Sequence, residues 1–197
     1  MLFRSPIQRA VTPTARVLAA ARKNRIRVVY LSMAYRPDLS DVGPAESPNW
    51  RVHAQFLHVG SRVQAPDGTE TRILIRDTWG TRVVSELQPE PGEPVIYKTR
   101  YSGFYNTELD STLQALGARY LVLTGCTTSV CVESTLRDAM FRDYSPILLA
   151  DCSAEPIGYK LPRSNHEASL LVIETLLGWV SSSEQFITAL ETPASPA

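Results

Sequence analysis

The chain has 197 residues, 44% of them hydrophobic, which is enough for one domain with a buried core. Lys+Arg and Asp+Glu number 20 each, so the formal net charge is zero, and no electrostatic footprint for nucleic acid or an anionic membrane surface results. No apolar run reaches the roughly 18 residues of a membrane span, residues 1–9 are too polar for a signal peptide, and the three cysteines, Cys126, Cys131 and Cys152, are too few for a disulfide framework and suit a reducing compartment, so the cytoplasm is expected.

In chain order, residues 13–24 read as a helix, with Val17, Leu18 and Ala21 at helical spacing and a basic end at Arg22, Lys23 and Arg25. Residues 26–31 form a β-branched apolar run, hence a strand. From Arg36 to Arg72 the chain is rich in Pro, Gly, Asp and Ser and reads as a long irregular excursion, the kind of loop that forms lids and binding surfaces. A short helix is expected over 79–87, closed by Pro89, Pro91 and Gly92. Residues 95–98 are a strand, and 107–116 a helix with Thr107 as cap and Gly117 as terminator. Residues 120–124 and 147–150 are buried strands, and 130–141, 166–180 and 183–190 are helices. Strands alternating with helices argue for an α/β fold with a mostly parallel sheet covered on both faces. The expected organisation is a single domain over 1–197, with 191–197 as a tail.

Ligands of such sheets gather at the carboxyl ends of strands. Lys98 ends one strand, the loop Gly125-Cys126-Thr127-Thr128-Ser129-Val130-Cys131 follows the next, and Asp151 ends the one after. Cys131 falls in the first turn of a helix, where free N–H groups and the positive dipole end favour a thiolate. The same N–H groups can hold an oxyanion. Set against this, a free cysteine is often a small buried hydrophobe, the reading that suits Cys126 and Cys152. Lys98 is either a snorkelling surface lysine or the cation that stabilises the thiolate. His53 and His58 lie in the irregular segment without the spacing of a zinc pair and read as surface residues, and the cysteine gaps match no metal site.

At these residues the chain resembles a known family. Lys98-Thr99-Arg100-Tyr101-Ser102-Gly103-Phe104, Thr107, Leu109, Thr124-Gly125, Thr127-Thr128, Val130-Cys131-Val132-Glu133-Ser134-Thr135 and Arg137-Asp138-Ala139 look like the core of the isochorismatase-like cysteine hydrolases. Among the branches, the ureidoacrylate amidohydrolases are the most similar. The likeness runs from about Thr14 to Leu190 and takes in Ser47-Pro48-Asn49. The resemblance implies a three-layer α/β/α sandwich with a Rossmann-like sheet and an Asp-Lys-Cys triad. Cys131 is then the nucleophile and Lys98 its cationic partner. The N–H groups of Thr128 and Cys131 form the oxyanion site, and a cis peptide is expected at Thr127–Thr128. Amide or ureido C–N bonds of a small acid are hydrolysed through a thioester. No metal or cofactor is expected, and dimers or tetramers are. Tyr101, Tyr35 and Met33 fall at positions that contact substrate.

One departure is large. The family's general-base Asp follows an apolar strand that lies between the strand ending near Leu31 and the one ending near Thr124. No such run precedes residue 26 in this sequence. Without it a slot lined by unpaired backbone groups is expected there. Asp77, Glu133 and Asp151 are conceivable replacements for the base, and Asp151 is more in keeping with a loop-capping role. The alternative to an amidohydrolase is an impaired relative that serves as a binding or assembly subunit.

Overall fold

A computed structural model describes residues 4–157, 165–174 and 178–192. Two helices lead in, α1 (Arg4–Arg9) and α2 (Val11–Lys23). Thr14, Val17 and Ala21 of α2 are buried at intervals of three and four, the stripe of an amphipathic helix. Its basic end is anchored by Arg22, which forks onto Glu93 at 2.9 and 2.8 Å.

Strand β1 (Tyr30–Met33) pairs in parallel with β4 (Val95–Lys98), with Met33 opposite Lys98. The strand expected over 26–31 therefore begins and ends later. Tyr30 already pairs with Val95, and the residues before Val95 include Pro91 and Pro94, which lack the N–H a ladder needs. The segment 36–72 is more regular than expected. It holds the short helix α3 (Pro48–Trp50), a π-helical turn at Arg51–Phe56, and the hairpin of β2 (Arg62–Gln64) with β3 (Glu70–Arg72). Ser47 caps α3 by accepting the Trp50 N–H at 3.1 Å, with Pro48 at the first helical position. The helix expected over 79–87 is instead two 3₁₀ turns, Trp79–Thr81 and Ser85–Leu87, interrupted at Val83 and Val84, whose branching disfavours helix.

The second half follows the expected alternation. Helix α4 (Leu109–Ala115) leads to β5 (Tyr120–Cys126). A π-helical turn (Thr128–Val132) and α5 (Glu133–Met140) follow, then β6 (Ser145–Ala154), α6 (Asn165–Val172), β7 (Trp179–Ser181) and α7 (Ser183–Glu191). The helix expected over 166–180 is cut short, because Trp179 and Val180 pair with Ile147 and Leu148 of β6. Part of that expected helix, 175–177, lies outside the described residues. Strands β5, β6 and β7 form one parallel sheet in that order. Leu148 faces Val132, Leu136 and Ile173, while Leu149 faces Val17 and Cys152 with Phe186 and Ile187 packed alongside. Consecutive strand residues thus bury opposite faces, giving helix layers on both sides of the sheet.

The sheet is in two pieces. Among the described residues β1 and β5 share no ladder, and each leaves an edge unpaired. A covered central strand is buried nearly throughout; in β5, Tyr120 is 62% exposed and Cys126 is exposed as well, which corrects the expectation that Cys126 is buried. The pieces are held by an apolar cluster of Ile96, Phe104, Leu109, Leu113 and Ala139, against which Leu31 of β1 and Leu121 of β5 both pack. No described helix is long and apolar enough to cross a membrane.

Candidate active site

Cys131 sits in the π-helical turn that follows β5. Strand β5 ends at Cys126, Thr127 is extended, and Thr128 is already in the turn. The cis peptide lies at Cys126–Thr127, one bond before the expected Thr127–Thr128. The chain reverses where the strand stops and the capping residue begins, so the irregular bond falls before Thr127 and not after it. The turn is tied down from several sides. The Ser129 N–H and hydroxyl both donate to the Glu155 carboxylate, at 2.9 and 2.5 Å. Thr128 is fully buried, with its hydroxyl 2.8 Å from that of Ser153 and 2.9 Å from Nδ1 of His166. The N–H groups of Val130 and Val132 donate to the Thr127 carbonyl. Those of Thr128 and Cys131 take no part in these bonds.

Lys98 closes β4 and is 4% exposed, so the snorkelling reading is wrong. Its ammonium donates to the carbonyls of Arg100 and Tyr101, both at 3.0 Å. No described carboxylate forms an ion pair with it. Asp151 accepts the Ser183 N–H at 2.8 Å and the Ser183 hydroxyl, capping α7. Glu133 takes Arg137 and the Ser169 hydroxyl, and Asp77 takes the Tyr97 hydroxyl at 2.7 Å. All three candidate bases are engaged elsewhere.

The loop after Lys98 is bonded onto the Cys131 helix. Gly103 N–H donates to the Thr135 hydroxyl at 2.9 Å, and that hydroxyl donates to the Cys131 carbonyl at 2.7 Å. The Ser102 hydroxyl donates to Asp138 at 2.5 Å. Tyr101 thereby comes beside Cys131. Its phenol is pushed up, first by burial and then by its electrostatic interaction with Cys131. Met33 lies on the neighbouring strand opposite Lys98. Tyr35 is fully buried, donates to the Thr99 carbonyl at 3.2 Å, and is pushed up to about 12 by burial.

His53, expected at the surface, is 1% exposed and lies between the rings of Tyr35 and Tyr101, at 5.5 and 5.7 Å. Its sequence signal is the Ser47-Pro48 helix start, which puts residue 53 one turn beyond Asn49. The burying contacts are long-range and leave no trace in the sequence. His58 is exposed. Cys152 is buried, and burial raises its thiol to about 11, an inert thiol as expected. At the carboxyl end of β4 a cavity of about 330 Å³ is lined by Thr99 and Arg100 together with Arg36, Asp41 and Arg76. Arg76 pairs with Asp41 at 2.8 Å, so the guanidiniums of Arg36 and Arg100 leave that wall positive.

The Isochorismatase domain family matches the chain over residues 4–185. A ureidoacrylate amidohydrolase RutB from Methylorubrum extorquens is 44% identical over 178 residues, which cover 90% of this chain and 68% of the relative. Among solved structures, a cysteine hydrolase from Pseudomonas syringae pv. phaseolicola is 28% identical with a TM-score of 0.78, covering 94% of this chain and 81% of that one. N-carbamoylsarcosine amidase from Thermoplasma acidophilum is 26% identical with a TM-score of 0.66, covering 90% and 84%.

Proposed function

The chain belongs to the isochorismatase family, and on that premise we propose that it is a cysteine amidohydrolase that cleaves the amide or ureido C–N bond of a small acid similar to ureidoacrylate. The observation that carries this reading is the bonded path from the Lys98 loop to the nucleophile helix, Gly103 to Thr135 to Cys131. A buried ammonium on one strand end and a thiol in the first turn of a helix on another are the two parts a thiolate nucleophile needs. The Cys131 sulfur attacks the carbonyl carbon, and the N–H groups of Thr128 and Cys131 hold the oxyanion. The C–N bond breaks, the amine leaves with a proton, and water then cleaves the thioester and restores the thiol. Tyr101 stacks on the flat ureido acid, with Met33 and Tyr35 behind it, and the guanidiniums of Arg36 and Arg100 favour its carboxylate. The proton acceptor in this scheme is a carboxylate brought to Lys98 by a strand seated between β1 and β5. The same reading makes the chain one domain, homo-oligomeric and cytoplasmic.

Hydrolysis of a panel of ureido and amide acids by the wild type and by Cys131→Ala tests the proposal. The wild type turns over at least one compound and the variant none; equal turnover by both overturns it. A second reading, a binding or assembly subunit, is favoured by one observation: Lys98 has no carboxylate partner among the described residues. Site-resolved alkylation separates the two readings. An activated Cys131 reacts faster than an ordinary thiol, and a rate no higher than ordinary favours the second reading.

A further inference from the structure

The π-helical turn at Arg51–Phe56 buries one residue. Val52 is 37% and Phe56 78% exposed, while His53 is 1% exposed. Its Nδ1 lies 2.9 Å from the Asn49 carbonyl oxygen. A carbonyl oxygen only accepts, so Nδ1 carries the proton. Asn49 is itself fixed, donating from its side chain to the Val42 carbonyl at 2.6 Å. Burial, opposed by the bond to the Asn49 carbonyl and helped by the charges of Arg100 and Lys98, lowers the pKa of the ring and so favours the neutral form. In a neutral imidazole with Nδ1 protonated, Nε2 is a bare acceptor.

That acceptor has no hydrogen-bond partner among the described residues. A packed core histidine satisfies both nitrogens. No fully buried side-chain nitrogen or oxygen among the described residues lacks a partner, so Nε2, which bonds to nothing in the described chain, lies at the very edge of accessible space in a residue that is 1% exposed overall. Tyr35 is fully buried and closes one face of the ring. Tyr101, the other neighbour, is 37% exposed and stands beside Cys131. Through Tyr101, and with Lys98 and Arg100 close enough to act on its charge, the ring adjoins the Cys131 site. His53 is not placed as the base: its Nδ1 partner is a neutral carbonyl and not a carboxylate.

We propose that Nε2 of His53 accepts a hydrogen bond from an N–H of the substrate and so makes the pocket select substrates by that donor. This rests on the amidohydrolase reading, because amides and ureides carry such donors next to the carbon that is attacked. An analogue with that nitrogen methylated leaves the buried acceptor unpaired, and a carboxylate in its place meets a lone pair.

The test compares wild type, His53→Phe and His53→Gln on a ureido acid and on its analogues methylated at each nitrogen in turn. Wild type loses roughly tenfold or more in kcat/KM on one of them, about the net worth of a hydrogen bond. His53→Phe loses as much on the parent compound and no longer distinguishes that analogue. His53→Gln keeps an acceptor and keeps the discrimination. A Phe variant that discriminates like wild type overturns the proposal. In nitrogen-resolved NMR of the free protein, Nε2 of His53 is unprotonated and Nδ1 protonated; the reverse tautomer or an imidazolium overturns it without any substrate. If wild type hydrolyses nothing, the amidohydrolase reading fails by itself. The ring is then tested by titration with the same compounds: the Nε2 resonance moves with the parent and not with one methylated analogue, and an unmoved resonance overturns the proposal.

Discussion

The two pieces of the sheet are built to different standards of closure. In the β5–β6–β7 piece the chain is clamped by backbone contact and buried polar bonds. The Gly178 Cα is so near the Pro146 carbonyl that an added Cβ would meet it at 2.3 Å, and the turn carrying Cys131 is pinned by Glu155, Ser153 and His166. The β1–β4 piece is two strands with both outer edges unpaired among the described residues, and it is joined to the Cys131 turn through the Leu31–Leu121 cluster and the loop after Lys98. On the proposed reading, the nucleophile Cys131 thus sits on the more firmly pinned piece and its cation Lys98 on the other. Catalytic geometry then depends on the few bonds between them, because a misplacement of about 1 Å can cost a hundredfold in rate.

The largest expected effect comes from removing the cation. Lys98→Met should lower kcat/KM by about 10²–10³, the range for losing one preorganised electrostatic group. Stability should change little, because an apolar side chain of similar length relieves the cost of burying an ammonium that has no carboxylate among the described residues, while the Arg100 and Tyr101 carbonyls lose their donor. Thermal melts beside the kinetics check this. A melting temperature that drops with the activity would make Lys98 a structural residue.

The rigid piece was also the more legible one. Strands 120–124 and 147–150 and the helix at 183–190 follow from apolar runs, small-residue turns and caps, all local signals. The positions of Lys98 and Cys131 were legible because Lys98 ends β4 and Cys131 lies in the turn that follows β5, both at the carboxyl edge of a parallel sheet. The open piece was read poorly for a physical reason. Its burial comes from distant chain segments, so His53 looks like any histidine in a polar stretch until Tyr35 and Tyr101 close over it. The helix predicted through residue 180 failed because pairing with β6 outweighs local preference at Trp179 and Val180.

Smaller effects probe the joint and the two pieces directly. Thr135→Val keeps the shape and removes the hydroxyl between Gly103 and the Cys131 carbonyl. It strands a buried N–H, so a loss of about 1–3 kcal/mol in stability is expected, with activity falling too. Gly178→Ala should cost at least as much, since a backbone carbonyl cannot move aside. Gly103→Ala should cost less, about 1 kcal/mol. There the added Cβ meets the Leu31 side chain at 2.5 Å, and Leu31, beside the open slot, has room to turn. Denaturant melts rank the three. Equal losses at Gly103 and Gly178 would mean that the open piece is as tightly packed as the closed one.

The smallest effect is a pH dependence with one histidine on each piece. Burial is the leading cause that lowers both His53 and His166 from the ordinary value of 6.5. For His53 the bond to the Asn49 carbonyl opposes the lowering and the charges of Arg100 and Lys98 add to it, while for His166 Glu155 and Glu167 oppose it. As pH falls, the unfolded chain binds these protons first. Stability is therefore full above about 6.5 and declines as pH drops from there toward the folded values, by at most about 1.4 kcal/mol per pH unit for each histidine. His53→Phe should remove part of that slope while leaving the part due to His166. On the proposal above, a ligand whose N–H binds Nε2 of His53 should lower the folded value of His53 further, while His166, held by Thr128, makes no such bond and is unchanged. Melting curves between pH 5 and 8, with and without a ureido acid, measure both parts; a slope untouched by His53→Phe would mean that the ring in the open piece is already free to take a proton.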